Sequence, residues 1–358
     1  MKILVINPFG IGDVIFSTPL IEILKRRFPD SFIGYICNRR AAELIATNPH
    51  LNRIFTYEKD EYREELKRSR IGFIRKIFGF LKDIRKERFD VSIDLSLNYQ
   101  FSMFMALIGV KKRVGFNYRN RGKFLTDKVD IEGFDYRHVV DYYLDVLKLL
   151  DIDVSIRDVK TRIYVSDEDA GFADRILKDS GIKKEDLIIG MVPGCGESWG
   201  ADAEYRRWDR KNFALLADLL TERYNAKIVL FGNLRENDIS VEVEKAVKSR
   251  IVNLCGKTSI GEFLGILKRC GVVVTNDGGP LHMAVAVGAK TVSIFGPVDE
   301  ITYGPYRDDY NHIVLSRHDL TCRPCYRKFK YKKCENRRCL DLIPVEEVAG
   351  AVGKILSR

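Results

Sequence analysis

Two glycine-rich turns, far apart in the sequence, carry residue types that could do chemistry. The first places Asp13 after Gly10-Ile11-Gly12, directly behind the apolar run 3–6. The second is Asn276-Asp277-Gly278-Gly279-Pro280-Leu281-His282, behind the apolar run 272–274. Each pattern is typical of a strand that feeds a tight turn and then a helix, which is where open α/β sheets bind ligands. The free N–H groups and the positive dipole end of such a helix suit a phosphate group.

Asp13 is the carboxylate of the first turn. This turn is not a dinucleotide fingerprint, because Ile15 stands where that motif needs a third small residue. Cys37-Asn38 also follows the second strand where the motif needs an acidic residue. Two interpretations of Asp13 remain open, namely a carboxylate that caps a helix and a general base at the edge of a sheet.

The second turn resembles a site for a diphosphate. Gly278 and Gly279 remove side chains where a ligand could touch the backbone, and His282 lies on the first helical turn. Gly296-Pro297 follows the next strand, and two glycine turns after adjacent strands fit a diphosphate cradle. The alternative is two ordinary strand–helix turns, with His282 as a structural histidine.

Charged residues accompany these turns. The loop 193–198, which ends at Ser198, leads to Arg206-Arg207-Trp208. An arginine pair at this place could neutralise phosphate charge. Glu236 follows another strand and could accept hydrogen bonds from ribose hydroxyls or simply cap the next helix.

Apolar strands alternate with helical patterns along the whole chain, which predicts parallel sheets covered by helices. A length of 358 residues favours two domains over one core. We therefore expect an α/β fold with two Rossmann-like, doubly wound domains that face each other across a cleft. The predicted boundaries are 1–165, ending in an edge strand near Val165, then 166–340, which starts with a helix capped by Ser166. A final helix at 341–358 is expected to pack back toward the first domain.

The net charge of +10 is concentrated in the first domain. Between Arg63 and Arg88, ten basic residues stand against four acidic ones, with apolar residues at helical spacing among them. Such a helix could lie on anionic lipid or bind an acidic acceptor, and the alternative is a solvated helix that covers a sheet. No aromatic-rich strand motif accompanies the charge, so nucleic acid is not favoured. No run of eighteen apolar residues and no signal-peptide core is present, which predicts a cytoplasmic protein.

Four of the eight cysteines form the cluster Cys322-x2-Cys325-x8-Cys334-x4-Cys339 within the segment 322–339. Two close pairs of thiols would suit a tetrahedral structural zinc site. Free thiols and disulfides remain alternatives, although a cytoplasmic location disfavours disulfides.

Taken together, these residues resemble glycosyltransferase family 9, the heptosyltransferases of lipopolysaccharide core assembly. Gly12-Asp13 followed by Pro19 is similar to the acceptor-side signature of the family. The second glycine turn, with Ala284, Ala286, Gly288 and Phe295-Gly296-Pro297 behind it, is similar to the donor-side signature. Arg206-Arg207-Trp208 resembles a basic-basic-Trp stretch in which lysine usually stands first, and Glu236 matches a glutamate that holds the ribose of the donor.

The resemblance implies the GT-B architecture and an inverting, metal-independent transfer of a sugar, typically heptose from ADP-heptose, to a lipid-linked saccharide such as lipopolysaccharide core. Asp13 would be the general base, and no cofactor would be required for catalysis. The implied partners are the nucleotide-sugar donor, the lipid-linked acceptor and the inner face of a membrane, to which the protein would bind peripherally. The residues expected to contact the donor are Gly12, Ser198, Arg206, Arg207, Glu236, Asp277, Gly278, Gly279, His282 and Gly296.

Two other functions stay open at this point. A nucleotide-sugar epimerase or hydrolase of the same fold would release diphosphate without a saccharide acceptor. A nucleic-acid-binding protein that uses the basic, cysteine-rich loop would leave both phosphate-binding turns without a purpose.

Overall fold

The chain folds into two compact units, Met1–Thr161 and Arg162–Arg358. The computed structural model describes residues 1–154, 159–196, 200–307, 310–332, 334 and 336–358. Each unit contains a six-stranded sheet whose paired strands all run parallel. The expected fold class, with two doubly wound α/β units, is therefore confirmed.

In the first unit, the sheet consists of β1 (Lys2–Ile6), β2 (Phe32–Cys37), β3 (Arg53–Thr56), β4 (Val91–Asp94), β5 (Lys112–Tyr118) and β6 (Asp127–Ile131). The helices are α1 (Ile11–Phe16), α2 (Thr18–Arg27), α3 (Arg39–Ile45), α4 (Lys59–Arg68), α5 (Arg70–Glu87), α6 (Tyr99–Leu107) and α7 (Val139–Asp145), followed by a 3₁₀ helix (Val146–Leu150).

The strand order of the first sheet is β3-β2-β1-β4-β5-β6. The central strand β1 is almost entirely apolar and its last four residues are buried, as expected for a parallel strand covered on both faces. The edge strand β6 instead contains polar residues at its exposed positions. The order reverses between β1 and β4, so the turns that follow these two strands leave the sheet edge in opposite directions.

In the second unit, the sheet consists of β7 (Ile188–Val192), β8 (Lys227–Leu230), β9 (Ile251–Asn253), β10 (Val272–Asn276), β11 (Thr291–Ile294) and β12 (His312–Leu315). The helices are α8 (Asp167–Asp179), α9 (Arg210–Tyr224), α10 (Asn237–Ala246), α11 (Ile260–Leu267), α12 (Gly279–Ala286), α13 (Glu300–Tyr303), α14 (Arg338–Asp341) and α15 (Val345–Leu356). Two 3₁₀ helices (Gly200–Arg206 and Leu234–Glu236) and a hairpin of β13 (Tyr326–Arg327) and β14 (Lys330–Tyr331) complete the unit.

The second sheet has the order β12-β11-β10-β7-β8-β9, which repeats the topology of the first. Its order reverses between β7 and β10. The serine cap predicted for the first helix of this unit is confirmed, because the Ser166 side chain accepts a hydrogen bond from the Asp169 N–H group at the start of α8.

The C-terminal helix departs from the expectation that it packs back toward the first domain. Its buried residues belong to the hydrophobic core of the second unit, beside the β7, β8, β10 and β11 side chains. The reason is that α15 carries a continuous apolar face, which lies against the sheet of its own unit. The residues of this face are Val348, Ala349, Ala351, Val352 and Ile355.

Two further expectations differ from the structure. The segment around Val165 is not a strand, and the Ile163 N–H group bonds to the carbonyl of Ala286 at the end of α12. The basic helix is divided at Ser69, whose side chain caps α5 by accepting a hydrogen bond from the Gly72 N–H group.

Leu340 and Leu342 provide a matched test of the second core. Leu340 on α14 is fully buried, whereas Leu342 is 46% exposed. Leu340→Ala should lower the free energy of unfolding by about 2–5 kcal/mol, because it removes buried methyl groups and leaves a cavity. Leu342→Ala should change it by less than about 0.5 kcal/mol. Urea unfolding followed by circular dichroism measures both, and equal effects would contradict this core assignment.

Candidate functional site

Asp13 lies where β1 meets α1 in the first unit. The buried Asn7, directly after β1, donates a hydrogen bond from its side chain to the Asp13 carbonyl at 3.0 Å, which fixes the turn. Gly10 is the N-cap residue and offers no side chain, so Asp13 is a first-turn residue rather than the cap. The Asp13 carboxyl nevertheless accepts hydrogen bonds from the Gly10 and Asp13 N–H groups, so it caps the start of α1 from inside the first turn, and both interpretations of Asp13 stay open.

The environment of Asp13 makes its carboxyl unusually basic. Burial raises the pKa of Asp13 to about 6, while the Gly10 and Asp13 backbone N–H groups and the Tyr143 hydroxyl act in the opposite direction. Tyr143 is fully buried on α7. Asp13 itself is only partly buried, so a substrate can reach it. A reachable carboxyl with this pKa is suited to take up a proton near neutral pH.

A second carboxyl, Asp94, lies at the same switch point and was missed by the sequence reasoning. It ends β4, directly opposite Ile6 at the end of β1. Its Oδ1 accepts a hydrogen bond from the Ser96 N–H group at 2.9 Å, whereas its buried Oδ2 has no partner among the described residues. Burial raises the pKa of Asp94 to about 6 as well. The available signal was an acidic residue inside the apolar run 91–95.

In the second unit, Asn276 at the end of β10 connects the segments of the candidate donor site. Its side-chain amide donates hydrogen bonds to the carbonyls of Pro193 (2.8 Å) and Gly194 (3.0 Å). Its side-chain oxygen accepts a hydrogen bond from the Trp208 N–H group at 2.9 Å. One fully buried side chain therefore holds the loop after β7 and the basic segment in place.

Arg206 and Asp277 form a buried ion pair. The Arg206 Nε and Nη2 atoms lie 3.0 Å and 2.6 Å from Oδ2 of Asp277, and both side chains are nearly inaccessible to solvent. Burial raises the pKa of Asp277, and the Arg206 guanidinium opposes this rise. The Oδ1 atom of Asp277 has no hydrogen-bond partner among the described residues. In the structure, Arg206 is therefore the counter-ion of Asp277. Its expected role in neutralising phosphate charge stays a prediction.

Glu236 is also surrounded by donors from the protein. Its Oε1 accepts hydrogen bonds from the N–H groups of Cys195 (2.9 Å) and Gly196 (3.0 Å) and lies 3.2 Å from Nη2 of Arg207. Its Oε2 accepts hydrogen bonds from the Asn233 side chain at 2.8 Å and from the Asn233 backbone N–H group at 3.5 Å, and the backbone bond belongs to a capping box. The capping interpretation is therefore correct, and Glu236 additionally anchors the loop after β7.

Gly278 is required by the close approach of two segments. A Cβ atom at this position would lie 2.2 Å from the carbonyl oxygen of Cys195, and its φ of 155° disfavours other residues. Gly278 has no side chain to cap α12, and Pro280 has no N–H group, so the N–H groups of Gly279 and Leu281 in the first turn receive no capping side chain from Gly278. His282 is buried on this helix. This helix start can therefore bind an anion.

Two of the expected donor contacts lack direct structural support. A Cβ atom on Gly296 would lie 2.9 Å from Cγ of Leu340, and its carbonyl accepts a hydrogen bond from Nε of Arg323 at 2.6 Å. Packing of α14 therefore already explains this glycine. Ser198 lies outside the described residues.

The four-cysteine segment is tied to the turn after β11. The Cys325 and Tyr326 N–H groups donate to the Pro297 carbonyl, at 2.8 Å and 3.1 Å. Burial, followed by the neighbouring Cys334 and Cys322, raises the pKa of the Cys325 thiol, so the thiols are close enough to interact. All four are free thiols, and within the described ranges no group of three or more possible ligands could hold a metal ion. A zinc site at Cys322, Cys325, Cys334 and Cys339 stays a prediction from spacing, which metal analysis of the purified protein can test.

The chain is similar to known glycosyltransferases in sequence and in fold. A family model for glycosyltransferase family 9 (heptosyltransferase) matches residues 77–335. Lipooligosaccharide heptosyltransferase 2 of Haemophilus influenzae is 28% identical, over 89% of this chain and 90% of its own length. A solved family 9 glycosyl transferase from Veillonella parvula has a TM-score of 0.83 at 24% identity and covers 99% of this chain and 97% of its own. The E. coli ADP-heptose LPS heptosyltransferase II has a TM-score of 0.77 at 21% identity, over 100% and 99% of the two chains. The expected GT-B fold is confirmed.

The ion pair of the second unit can be tested by its effect on stability. Asp277→Asn leaves the Arg206 charge buried without a counter-charge and should lower the free energy of unfolding by about 3–5 kcal/mol. Glu242→Gln is the matched control, because it removes an ion pair with Arg210 in which both side chains are more than 40% exposed. This control should cost less than about 1 kcal/mol. Guanidinium unfolding measures both, and equal midpoints would contradict the buried pair.

Proposed function

Because the chain belongs to glycosyltransferase family 9, the heptosyltransferases, and is a glycosyltransferase, we propose that it moves heptose from ADP-heptose to a lipid-linked saccharide of the lipopolysaccharide core type. The observation that carries the mechanism is a reachable Asp13 carboxyl whose pKa is raised to about 6, at the switch point of the first unit. The names of the relatives, a lipooligosaccharide and an ADP-heptose LPS heptosyltransferase, support the choice of donor and acceptor.

We place the donor at the switch point of the second unit. Its diphosphate would lie at the start of α12, where the Gly278 and Gly279 backbone and the helix dipole attract negative charge. Arg206, held by Asp277, would add a positive charge, and both side chains are nearly inaccessible to solvent. The ribose would bind at Oε2 of Glu236, which accepts fewer hydrogen bonds from the protein than Oε1 does. The remaining proposed donor contacts are Gly12, Ser198, Arg207, Asp277, His282 and Gly296.

We propose an inverting displacement with Asp13 as the base. The acceptor hydroxyl gives its proton to the Asp13 carboxylate while its oxygen forms a bond to the anomeric carbon. The bond from that carbon to the diphosphate oxygen breaks, and ADP leaves on the opposite face. Fixed positive potential from Arg206 and the α12 N–H groups would stabilise the departing diphosphate, so we infer that no divalent ion is needed.

The acceptor is proposed to be anchored in a bilayer, which the protein would approach from the cytoplasmic side. Among the helices of the described residues, none combines the length and apolar character that crossing a membrane requires. We propose that contact with the bilayer is peripheral.

Asp13→Asn should abolish most of the ADP release from ADP-heptose, by about 10²–10⁴-fold, while the affinity for the donor stays the same. In the wild type, kcat/KM should fall as pH drops below about 6, because only the ionised Asp13 carboxylate can accept the proton. ADP release in the presence of acceptor, followed over a range of pH, measures both effects.

The control is Asp94→Asn, since the pKa of Asp94 is raised to about the same value in the same unit. It should keep both the turnover and the acidic limb of the pH profile. If Asp13→Asn turned over normally, or if the acidic limb disappeared with Asp94→Asn instead, the role given to Asp13 would be wrong. ADP release that does not depend on acceptor would point to the epimerase or hydrolase alternative.

A further inference from the structure

The helix α5 carries three large apolar side chains that the described residues leave uncovered. Ile71, Ile74 and Phe78 are 74%, 64% and 67% exposed. Their spacing of three and four residues places them on one side of the helix. Isolated exposed apolar residues are ordinary, but a stripe of them on one helix face indicates a binding surface. These three residues are referred to below as the α5 docking face.

The opposite side of α5 is what attaches the helix to the first unit. Phe73, Ile77, Phe80 and Leu81 pack against the hydrophobic core there, and Ile84 belongs to that core. The helix is therefore held in place without the α5 docking face. Folding does not account for the apolar character of that face.

Contacts along α5 show where the docking face lies. At the start of β3, Arg53 forms an ion pair with Asp83 at 2.8 Å. Just after the end of β3, the Tyr57 ring lies 5.6 Å from the ring of Phe80. The part of α5 from Arg70 to Phe80 therefore continues past the carboxyl end of β3. At a helical rise of 1.5 Å per residue, this part is roughly 15 Å long. Since all strands are parallel, this is the sheet edge at which Asp13 lies.

The surroundings of the docking face are strongly basic. The segment from Leu66 to Lys82 contains six basic residues and no acidic one. Arg70, Arg75 and Lys82 are exposed, and none of the three forms an ion pair with another described residue. An apolar stripe beside unpaired positive charge complements a surface that is both apolar and anionic.

We propose that the α5 docking face inserts into the headgroup region of an anionic lipid bilayer, with Arg70 and Arg75 against the anionic headgroups. A second copy of the chain is a poorer occupant, because a symmetric contact would bring the like charges of both copies together. The inference rests on the proposed function only for its purpose, which is to bring the Asp13 edge of the first unit to a lipid-linked acceptor.

Sedimentation with vesicles of mixed phosphatidylglycerol and phosphatidylcholine tests the proposal. The wild type should bind these vesicles and bind phosphatidylcholine alone much more weakly. The triple variant Ile71→Ser, Ile74→Ser, Phe78→Ser should bind about 10-fold or more weakly, with an unchanged melting temperature. The matched control replaces three exposed apolar residues of the second unit by serine and should bind like the wild type. Its positions are Leu215, Ile301 and Leu342, which are 57%, 62% and 46% exposed.

The contribution of charge is tested separately. Arg70→Glu with Arg75→Glu should weaken binding about 10-fold or more, whereas Arg70→Lys with Arg75→Lys should preserve it. Binding of the wild type should weaken as salt is added, since screening reduces the attraction between arginine and the headgroups.

The proposal is overturned if the wild type does not sediment with anionic vesicles, or if the triple variant binds as well as the control. It is also overturned if the wild type does not bind vesicles and light scattering shows that the wild type is a dimer whereas the triple variant is a monomer. Turnover with a soluble, lipid-free acceptor separates this proposal from the proposed function. The triple variant should glycosylate the soluble acceptor like the wild type. It should lose turnover when the acceptor is embedded in vesicles. If no soluble acceptor is ever glycosylated although vesicle binding is intact, the proposed function fails and the docking surface stands.

Discussion

Parallel strands bring every strand-to-helix turn of a unit to one edge of its sheet, and both candidate sites depend on this constraint. In the first unit, β1 and β4 are neighbours whose following turns leave in opposite directions, so Asp13 and Asp94 lie at the resulting gap. In the second unit, β7 and β10 are related in the same way and place the loop 193–196 beside the turn 276–279. The same topology therefore generates two sites with different chemistry.

The two sites differ in how their buried charges are compensated. In the second unit, Asp277 is paired with Arg206, and Glu236 accepts hydrogen bonds from four N–H groups and contacts Arg207. A buried network with this many satisfied groups is rigid, which suits the proposed role of holding a diphosphate in one position. The network is also sensitive to the loss of any one partner, because the remaining charge would be left buried alone.

In the first unit, the partly buried Asp13 and the buried Asp94 have no basic ion-pair partner among the described residues. Burial raises the pKa of Asp13 and that of Asp94 to about 6, above the usual 3.8. A carboxyl whose pKa rises on folding reduces the stability of the folded state as pH increases from the unfolded to the folded pKa. The first unit thus keeps a carboxyl in a less stable, more basic state, which is the property that a proton acceptor needs. The docking face on α5 extends from this same edge and links it to the surface where an acceptor would be found.

Local patterns in the sequence determined the apolar central strands, the Ser166 cap, the two glycine turns and the membership of the glycosyltransferase family. These features depend on residues close together in the chain, such as Gly278 beside Asp277. Only the tertiary structure decided which charges meet, because Arg206 and Asp277 are 71 positions apart and Glu236 reaches Cys195 across 41. It also decided that α15 covers its own sheet, that Asp94 ends β4 directly opposite the end of β1, and that the apolar residues of α5 divide into a buried and an exposed face. Burial and long-range pairing are properties of packing, and no local spacing encodes them.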